Sequence, residues 1–424
     1  MPFLSFVFLF FFSAFAHGSV NLQKIIPSFD QKLIALAKAK GIPGFAAVIV
    51  SQGKPVYTQC YGVTSLATQK PITPHTVFQL GSVSKTITSA LFGVLFQKGL
   101  IAPQDKVSQY LPNFNYQPGV LTLHHLLTHT SGISRAGFNA LVEAEKLKRD
   151  QIFERLGRSE SATIPGTMYD YHNVAYGLIA PIIEAAIQQS YEDALRTYIF
   201  KPLNMHNASA SYEGLMAQKN RAYPHQKTKS GGYTVCSQYR KGYYEIAPAG
   251  GVNASITDMA AFLASQMGAA PKTLTPQTLN MLHSPLIPAV DFFTRNPANR
   301  QKFKTSSYGM GWRVLDYRGT KILFHGGWVK GFSNIIAFLP SHQIGIVILQ
   351  NAETSFHWIA TMTLIDCILG IEGNHWGEKP GAPKIIKRKT SLVGRKAPLP
   401  SVKKPFKKVS QRSKGYHSST NLGT

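Results

Sequence analysis

The chain has 424 residues, of which 44% are hydrophobic; that is enough to bury a large core and excludes a disordered chain. Its net charge of +25 is concentrated: 13 Lys and Arg and no acid lie between Lys379 and Thr424, which leaves +12 for everything upstream. The excess describes a tail more than a fold, and three widely spaced cysteines, Cys60, Cys236 and Cys367, exclude a disulfide framework or a CxxC metal site.

Those cysteines read as buried thiols with at most one incidental bridge. At the N-terminus, the apolar run Phe3–Ala16 ends in Ala14-Phe15-Ala16, small residues two apart, as signal-peptidase cleavage requires. It is shorter than the roughly 20 residues of a spanning helix. The expectation is a signal peptide over 1–16 and a periplasmic or secreted protein; an uncleaved anchor is the alternative. Ser28 to Lys40 has the pattern of an amphipathic helix ended by Gly41 and Pro43. "FAAVIV" and "KPVYTQCYG" flank "SQG" and predict a hairpin. After Ser82, apolar residues at Ile87, Ala90, Leu91, Val94 and Leu95 follow a helical period and predict a mostly buried helix.

Helices and long loops continue to about Pro285. Strand signals return in "YGMGWRVLD", "TKILFH", "SNIIAFL" and "IGIVILQ", and a last helix is expected over about Ser355 to Leu369. Strands at both ends with helices between predict an α/β (α+β) domain over 22–372. It would hold one antiparallel sheet built from 44–62 and 306–350, flanked by the terminal helices, with a helical region over about 77–285 inserted. "GEKPGAPK" has linker composition, and 379–424 reads as a basic, disordered tail.

Three segments carry chemistry. Ser82 and Lys85 are three residues apart at a helix start, on one face, with Cβ atoms about 5–6 Å apart. A lysine kept from water loses affinity for its proton and can act as a base. Ser82 also lies in the first turn, where free N–H groups favour an oxyanion. Ser84 points elsewhere. In isolation the pair could equally be an N-cap serine and a snorkelling lysine. The second segment is "PGTMYDYHNVAYGLI", with Tyr171, His172 and Asn173 before an apolar helical run. A phenol beside an ammonium ionises more easily and relays a proton, and an amide can orient its neighbours; alone, the segment is a loop with a capping asparagine. The third is "FHGGWVKGF", where Gly326 and Gly327 remove side chains near a strand edge; alone, it reads as a turn or bulge.

Taken in order, Ser-x-x-Lys, Tyr-x-Asn and a late His-Gly-Gly resemble the penicillin-recognising serine hydrolases, most of all the branch of class C β-lactamases, D-alanyl-D-alanine carboxypeptidases and related esterases. "VFQLGSVSKTIT", "DKVSQYLP", "LTLHHLLTHTSGI", "YIFKPLNM" and "PAGGVNASITDMAAF" extend the resemblance over roughly Ser28 to Gly370. It implies a β-lactamase/transpeptidase-like fold and no cofactor. It also implies that Ser82 is acylated and that Lys85 and Tyr171 share the general-base task, with Tyr171 returning the proton to the leaving group. Asn173 would bind the substrate amide and fix Lys85. His325, Gly326 and Gly327 would line the substrate strand, and the N–H groups of Ser82 and Trp328 would form the oxyanion hole. The implied substrate is a peptide of the D-Ala-D-Ala type, an ester or a β-lactam.

The sequence departs from the β-lactamase pattern where His325 replaces a lysine and Gly326 a hydroxyl residue. A histidine is only partly charged near neutrality, so carboxylate recognition by this motif weakens, unless Lys330 compensates. That favours a peptidase or esterase over a dedicated β-lactamase. The alternatives are a class C-like β-lactamase and a non-catalytic, envelope-binding protein that keeps the fold.

His124, His125 and His129 include an i, i+4 pair, but no H-E-x-x-H and no nearby cysteine pair, so no metal is expected. No G-x-S-x-G, P-loop or dinucleotide fingerprint occurs. The basic tail suits an anionic envelope polymer or lipid; nucleic acid is not an expected partner.

Overall fold

The computed structural model describes residues 20–114, 116, 119–135, 142, 145, 147–290, 301–373 and 376. The expected signal peptide and the basic segment 379–424 lie outside the described residues. Helix α1 covers Leu22–Lys40, six residues longer at its start than the sequence pattern suggests. The Asn21 side chain accepts a hydrogen bond from the Lys24 N–H, and Pro27 sits early enough that its missing donor costs little. Gly41, with φ of +58°, ends the helix in the left-handed conformation.

Strands β1 (Gly44–Ser51) and β2 (Lys54–Gly62) form the expected hairpin. Ten more strands follow. These are β3 (Val77–Gln79), β4 (His225–Lys227), β5 (Tyr233–Val235), β6 (Asn253–Ser255), β7 (Ile287–Pro288), β8 (Phe303–Tyr308), β9 (Arg313–Tyr317), β10 (Thr320–Val329), β11 (Phe332–Leu339) and β12 (Ile344–Gln350). Eight of them make one antiparallel sheet in the order β2-β1-β12-β11-β10-β9-β8-β7, so the two ends of the chain meet where β1 pairs with β12. The pairs β3–β6 and β4–β5 are small sheets within the helical region.

Alternation along β1 shows why both faces must be covered. Phe45, Ala47 and Ile49 pack with Phe29 and Leu33 of α1 and with Phe356 and Ile365 of the terminal helix Phe356–Leu369. Ala46, Val48 and Val50 face the inserted helical region instead. In that second layer lies helix α2 (Ser84–Gln97), buried from Ser84 to Leu95 on all sides rather than on one stripe. Its hydroxyls stay satisfied: Thr86 Oγ1 donates to the Val83 carbonyl, Thr88 Oγ1 to the Ser84 carbonyl and Ser89 Oγ to the Met310 carbonyl.

Two strand assignments differ from the sequence pattern. "YGMGWRVLD" is not one strand: β8 ends at Tyr308, Gly311 turns at φ of +76°, and β9 begins at Arg313. Gly326-Gly327 is neither turn nor bulge; both lie inside β10 and stay in register with Ile335 and Asn334 of β11. The three cysteines are free thiols, and only Cys236 is buried. No helix among the described residues is long and apolar enough to cross a membrane.

Within the outer layer a buried carboxylate ties the terminal helix to β9 and to Trp376. Asp366, on the terminal helix, accepts from Tyr317 Oη at 2.6 Å and from Trp376 Nε1 at 2.5 Å. Asp366→Ala leaves two buried donors without their acceptor, each costing about 1–3 kcal/mol. Urea unfolding should show a lower midpoint at unchanged m-value; an unchanged midpoint contradicts this reading.

Candidate active site

The backbone places Ser82 before it places any partner. Leu80 donates its N–H to the Val252 carbonyl, and Ser84 Oγ accepts from the Val252 N–H, so the segment is pinned on both sides of Ser82. Ser84 is therefore a structural anchor. Gly81, at φ of +56°, turns the chain into a single 3-10 turn, Gly81–Val83, which leads straight into α2. Lys85 then lies one turn further on, with its side chain wholly buried.

Four groups converge there. Lys85 Nζ is 3.2 Å from Ser82 Oγ, 2.7 Å from Asn173 Oδ1 and 2.7 Å from the Ala249 carbonyl oxygen. Tyr171 Oη donates to Ser82 Oγ at 2.8 Å. Burial, reinforced by the Arg313 guanidinium, holds the Lys85 amine well below its ordinary pKa. A neutral amine has two hydrogens and one lone pair. In that form the two carbonyl oxygens can take both hydrogens, which leaves the lone pair for the Ser82 hydroxyl.

Tyr171 differs from expectation. Burial raises its pKa, and the opposing influence of Arg313 and of the Ser82 hydrogen bond does not cancel that rise. With Lys85 neutral, no ammonium stands beside the ring to ionise it. Tyr171 is thus a phenol that donates to Oγ, rather than a phenolate. Asn173 opens the short helix Asn173–Gly177, but the cap is His172, whose Nδ1 accepts from the Ala175 N–H, while Asn173 Oδ1 faces Lys85.

The strand edge supplies the fourth wall. The turn Arg318-Gly319, with φ of +51° and +84°, closes a two-residue hairpin at Tyr317–Thr320. Thr320 therefore bonds to β9, and by alternation so do Ile322 and Phe324. Gly326 and Trp328 turn their backbone groups to the same side. Pairing with β9 stops at Phe324–Arg313, so those groups face an open edge. The Trp328 backbone lies against Gly81: a Cβ on Gly81 would fall 2.8 Å from the Trp328 nitrogen. A Cβ on Gly327 would fall 2.0 Å from the Leu80 carbonyl oxygen, so only glycine lets the strand come this close. Gly326 has no such neighbour, the nearest atom being 3.9 Å away.

His325 does not face the edge. It is buried; Nδ1–H donates to the Gly326 carbonyl at 2.8 Å, which leaves Nε2 to accept from Tyr308 Oη at 3.0 Å. Burial, then the Arg313 guanidinium, hold its pKa well below the usual value, which favours the neutral ring over a partly charged one. The cation at this end is Arg313, 5.3 Å from the Tyr171 ring and 5.6 Å from the Tyr308 ring. Sequence reasoning missed it; the only signal was a lone charge between the buried Trp312 and Val314. Lys330 sits in the β10–β11 turn and lines a cavity with Trp328.

His129 was also passed over. The helix Leu123–Leu127 ends before it, and its φ of +57° takes it off the helix, so it shares no helical face with His125. Its Nδ1 accepts from the His172 N–H, and its ring centroid lies 4.2 Å from that of Tyr171, the planes tilted by 43°. Burial, with the Arg313 guanidinium, holds its pKa well below the usual value, and the ring packs against the phenol. No group of three potential metal ligands occurs among the described residues.

Comparison with known proteins agrees with this architecture. The family profile described as Beta-lactamase matches residues 29–364. A Beta-lactamase of Escherichia coli K12 is 26% identical over 363 residues, covering 78% of this chain and 89% of the relative. Penicillin-binding protein 4* of Bacillus subtilis 168 is 26% identical, covering 72% and 68%. A protein named Unguisins hydrolase ungD' from Aspergillus campestris is 25% identical, covering 74% and 59%. Among solved structures, the octameric penicillin-binding protein homologue from Pyrococcus abyssi superposes with a TM-score of 0.73 at 22% identity, covering 82% of this chain and 78% of that one.

The two glycines of β10 make a paired prediction. Gly327→Ala should lower the unfolding free energy by about 1–3 kcal/mol, because the methyl group meets backbone on the Ser82 segment. Gly326→Ala should leave the melting temperature within about a degree of the parent. Equal effects in a thermal melt contradict the proposed close approach.

Proposed function

The chain belongs to the Beta-lactamase family, and on that premise we propose that it is an exported serine hydrolase that forms an acyl-enzyme on Ser82. The observation that carries the proposal is the fully buried Lys85 amine, 3.2 Å from Ser82 Oγ and 2.7 Å from each of two carbonyl oxygens. In the proposed reaction, Oγ bonds to the carbonyl carbon while Lys85 takes its proton. The oxyanion is held by the Ser82 and Trp328 N–H groups, which typically contribute about 3–4 kcal/mol per donor. Tyr171 gives its proton to the leaving group as that bond breaks, and recovers one from Lys85. Water then attacks the acyl ester, with the same groups in reverse, releasing the acid and restoring Ser82.

Within this class we favour a peptide or ester carbonyl over dedicated β-lactam turnover. The neutral His325 and side-chain-free Gly326 give the third motif neither cation nor hydroxyl, and Arg313 is the charge at that end. The apolar run Phe3–Ala16 supports export to a periplasmic or extracellular site, and the tail from Lys379 supports contact with an anionic envelope polymer or lipid.

Incubation with a fluorophosphonate followed by peptide mass mapping should find the adduct on Ser82 and none in Ser82→Ala. Folded, unlabelled wild-type protein would overturn the proposal. A panel of nitrocefin, a p-nitrophenyl ester and a D-Ala-D-Ala peptide ranks the substrate classes; fast turnover of nitrocefin alone reverses the preference stated here.

The pH profile follows from the depressed Lys85 pKa. Below it the amine is protonated and cannot accept the Ser82 proton, so kcat/KM should rise with pH and level off well short of the ordinary lysine value. Lys85→Arg should abolish that limb and lower the rate by about 10²–10⁴-fold. A limb that stays in place in Lys85→Arg would assign it to another group.

A further inference from the structure

A cavity of about 450 Å³ opens beside Trp328, walled by that residue and by Tyr243. Tyr243 packs against Gly250, next to the Ala249 carbonyl that holds Lys85. The cavity thus shares Trp328 with the strand segment that packs against Gly81, the neighbour of the nucleophile. Its remaining charged walls are Lys227 of β4, Arg240, Lys330 of the β10–β11 turn and Glu353. Three cations and one carboxylate line it, a surplus of positive charge, and Glu353 Oε1 also accepts from the Gly331 N–H at 2.6 Å. Arg240 and Lys330 are half-buried, which protects a pairing charge from screening more than an open surface would. Trp328 is half exposed and offers an apolar face at the mouth.

The direction of this cavity along the strand identifies what enters it. Tyr171, the leaving-group proton donor in the reading above, packs toward Arg313, Tyr308 and His325, at the β9 end of the open edge. The leaving group therefore points that way. The acyl portion extends oppositely, past Trp328 and toward Lys330. We infer that this cavity is an acyl-side subsite that takes a chain ending in a carboxylate or comparable anion, held by Arg240 and Lys330 with Lys227 at the rim. The inference rests on the acyl-enzyme reading and adds a substrate class to it: acyl donors that are anionic at the end remote from the scissile carbonyl.

The test compares mono-p-nitrophenyl adipate and suberate with their methyl esters, which share the leaving group and chain length but lack the charge. For at least one length, kcat/KM should favour the anion by about tenfold or more. The preference should shrink in about 0.5 M salt. It should fall close to unity, mainly through KM, in Lys330→Gln and in the exposed-site variant Lys227→Gln combined with it. A ratio near unity in the wild-type protein at both lengths overturns the inference, as does a ratio that survives in the double variant. Fluorophosphonate labelling of Ser82 separates the two levels. Labelled protein that turns over neutral esters without preferring anions sinks the subsite alone, whereas protein with no Ser82 adduct sinks the acyl-enzyme reading and the subsite with it.

Discussion

A single buried amine sets the terms for this molecule. An ammonium placed where Lys85 lies would require a counter-charge, and its pKa is set instead by burial and by the further cation Arg313. The fold meets the difficulty by accepting the neutral form and giving each N–H a carbonyl. One acceptor comes from the short helix at Asn173, the other from the Ala249 backbone, 164 residues away in sequence. Two distant segments of the helical region must therefore close over α2 before Ser82 has a base. Tyr171, Tyr176 and His129 complete the enclosure, with Tyr176 Oη donating to the Lys85 carbonyl at 3.0 Å.

The second constraint is steric and lies on the sheet. β10 is a central strand that loses its β9 neighbour after Phe324, and the exposed edge is brought against the Ser82 turn. Gly81 and Gly327 meet at that contact from opposite sides. Either side chain would hold the Trp328 N–H away from the Ser82 carbonyl site. The same edge divides the surroundings of the nucleophile in two: Arg313 and its aromatic rings at one end, Lys330 and the cationic cavity at the other.

Much of this was legible in the sequence because local chemistry announces it. The β1–β2 hairpin is marked by alternation and by Gln52-Gly53, both with positive φ. The Ser82–Lys85 spacing and the apolar run after it give both the helix and the pairing of hydroxyl with amine. What stayed hidden depends on contacts across the fold. The start of α1 was obscured by Pro27, whose cost depends on its place in the helix. Gly326-Gly327 looks like a turn unless Leu80 is known to press against it. His325 was assigned a partial charge because its burial beside Tyr308 is a tertiary fact. Arg313 and His129 carry no motif of their own and acquire meaning only from the Tyr171 ring between them. Family resemblance supplied the roles, and geometry supplied the protonation states.

Those protonation states rest on Lys85, and its charge can be observed directly. Protein labelled with ¹³C and ¹⁵N in lysine, with the Lys85 signal assigned by its loss in Lys85→Arg, allows the ε-carbon shift to be followed against pH. The account predicts that the Lys85 signal already reports the neutral amine at a pH well below the ordinary lysine range. A Lys85 signal that changes only within that ordinary range would mean a buried ammonium, and the lone pair facing Ser82 would not exist.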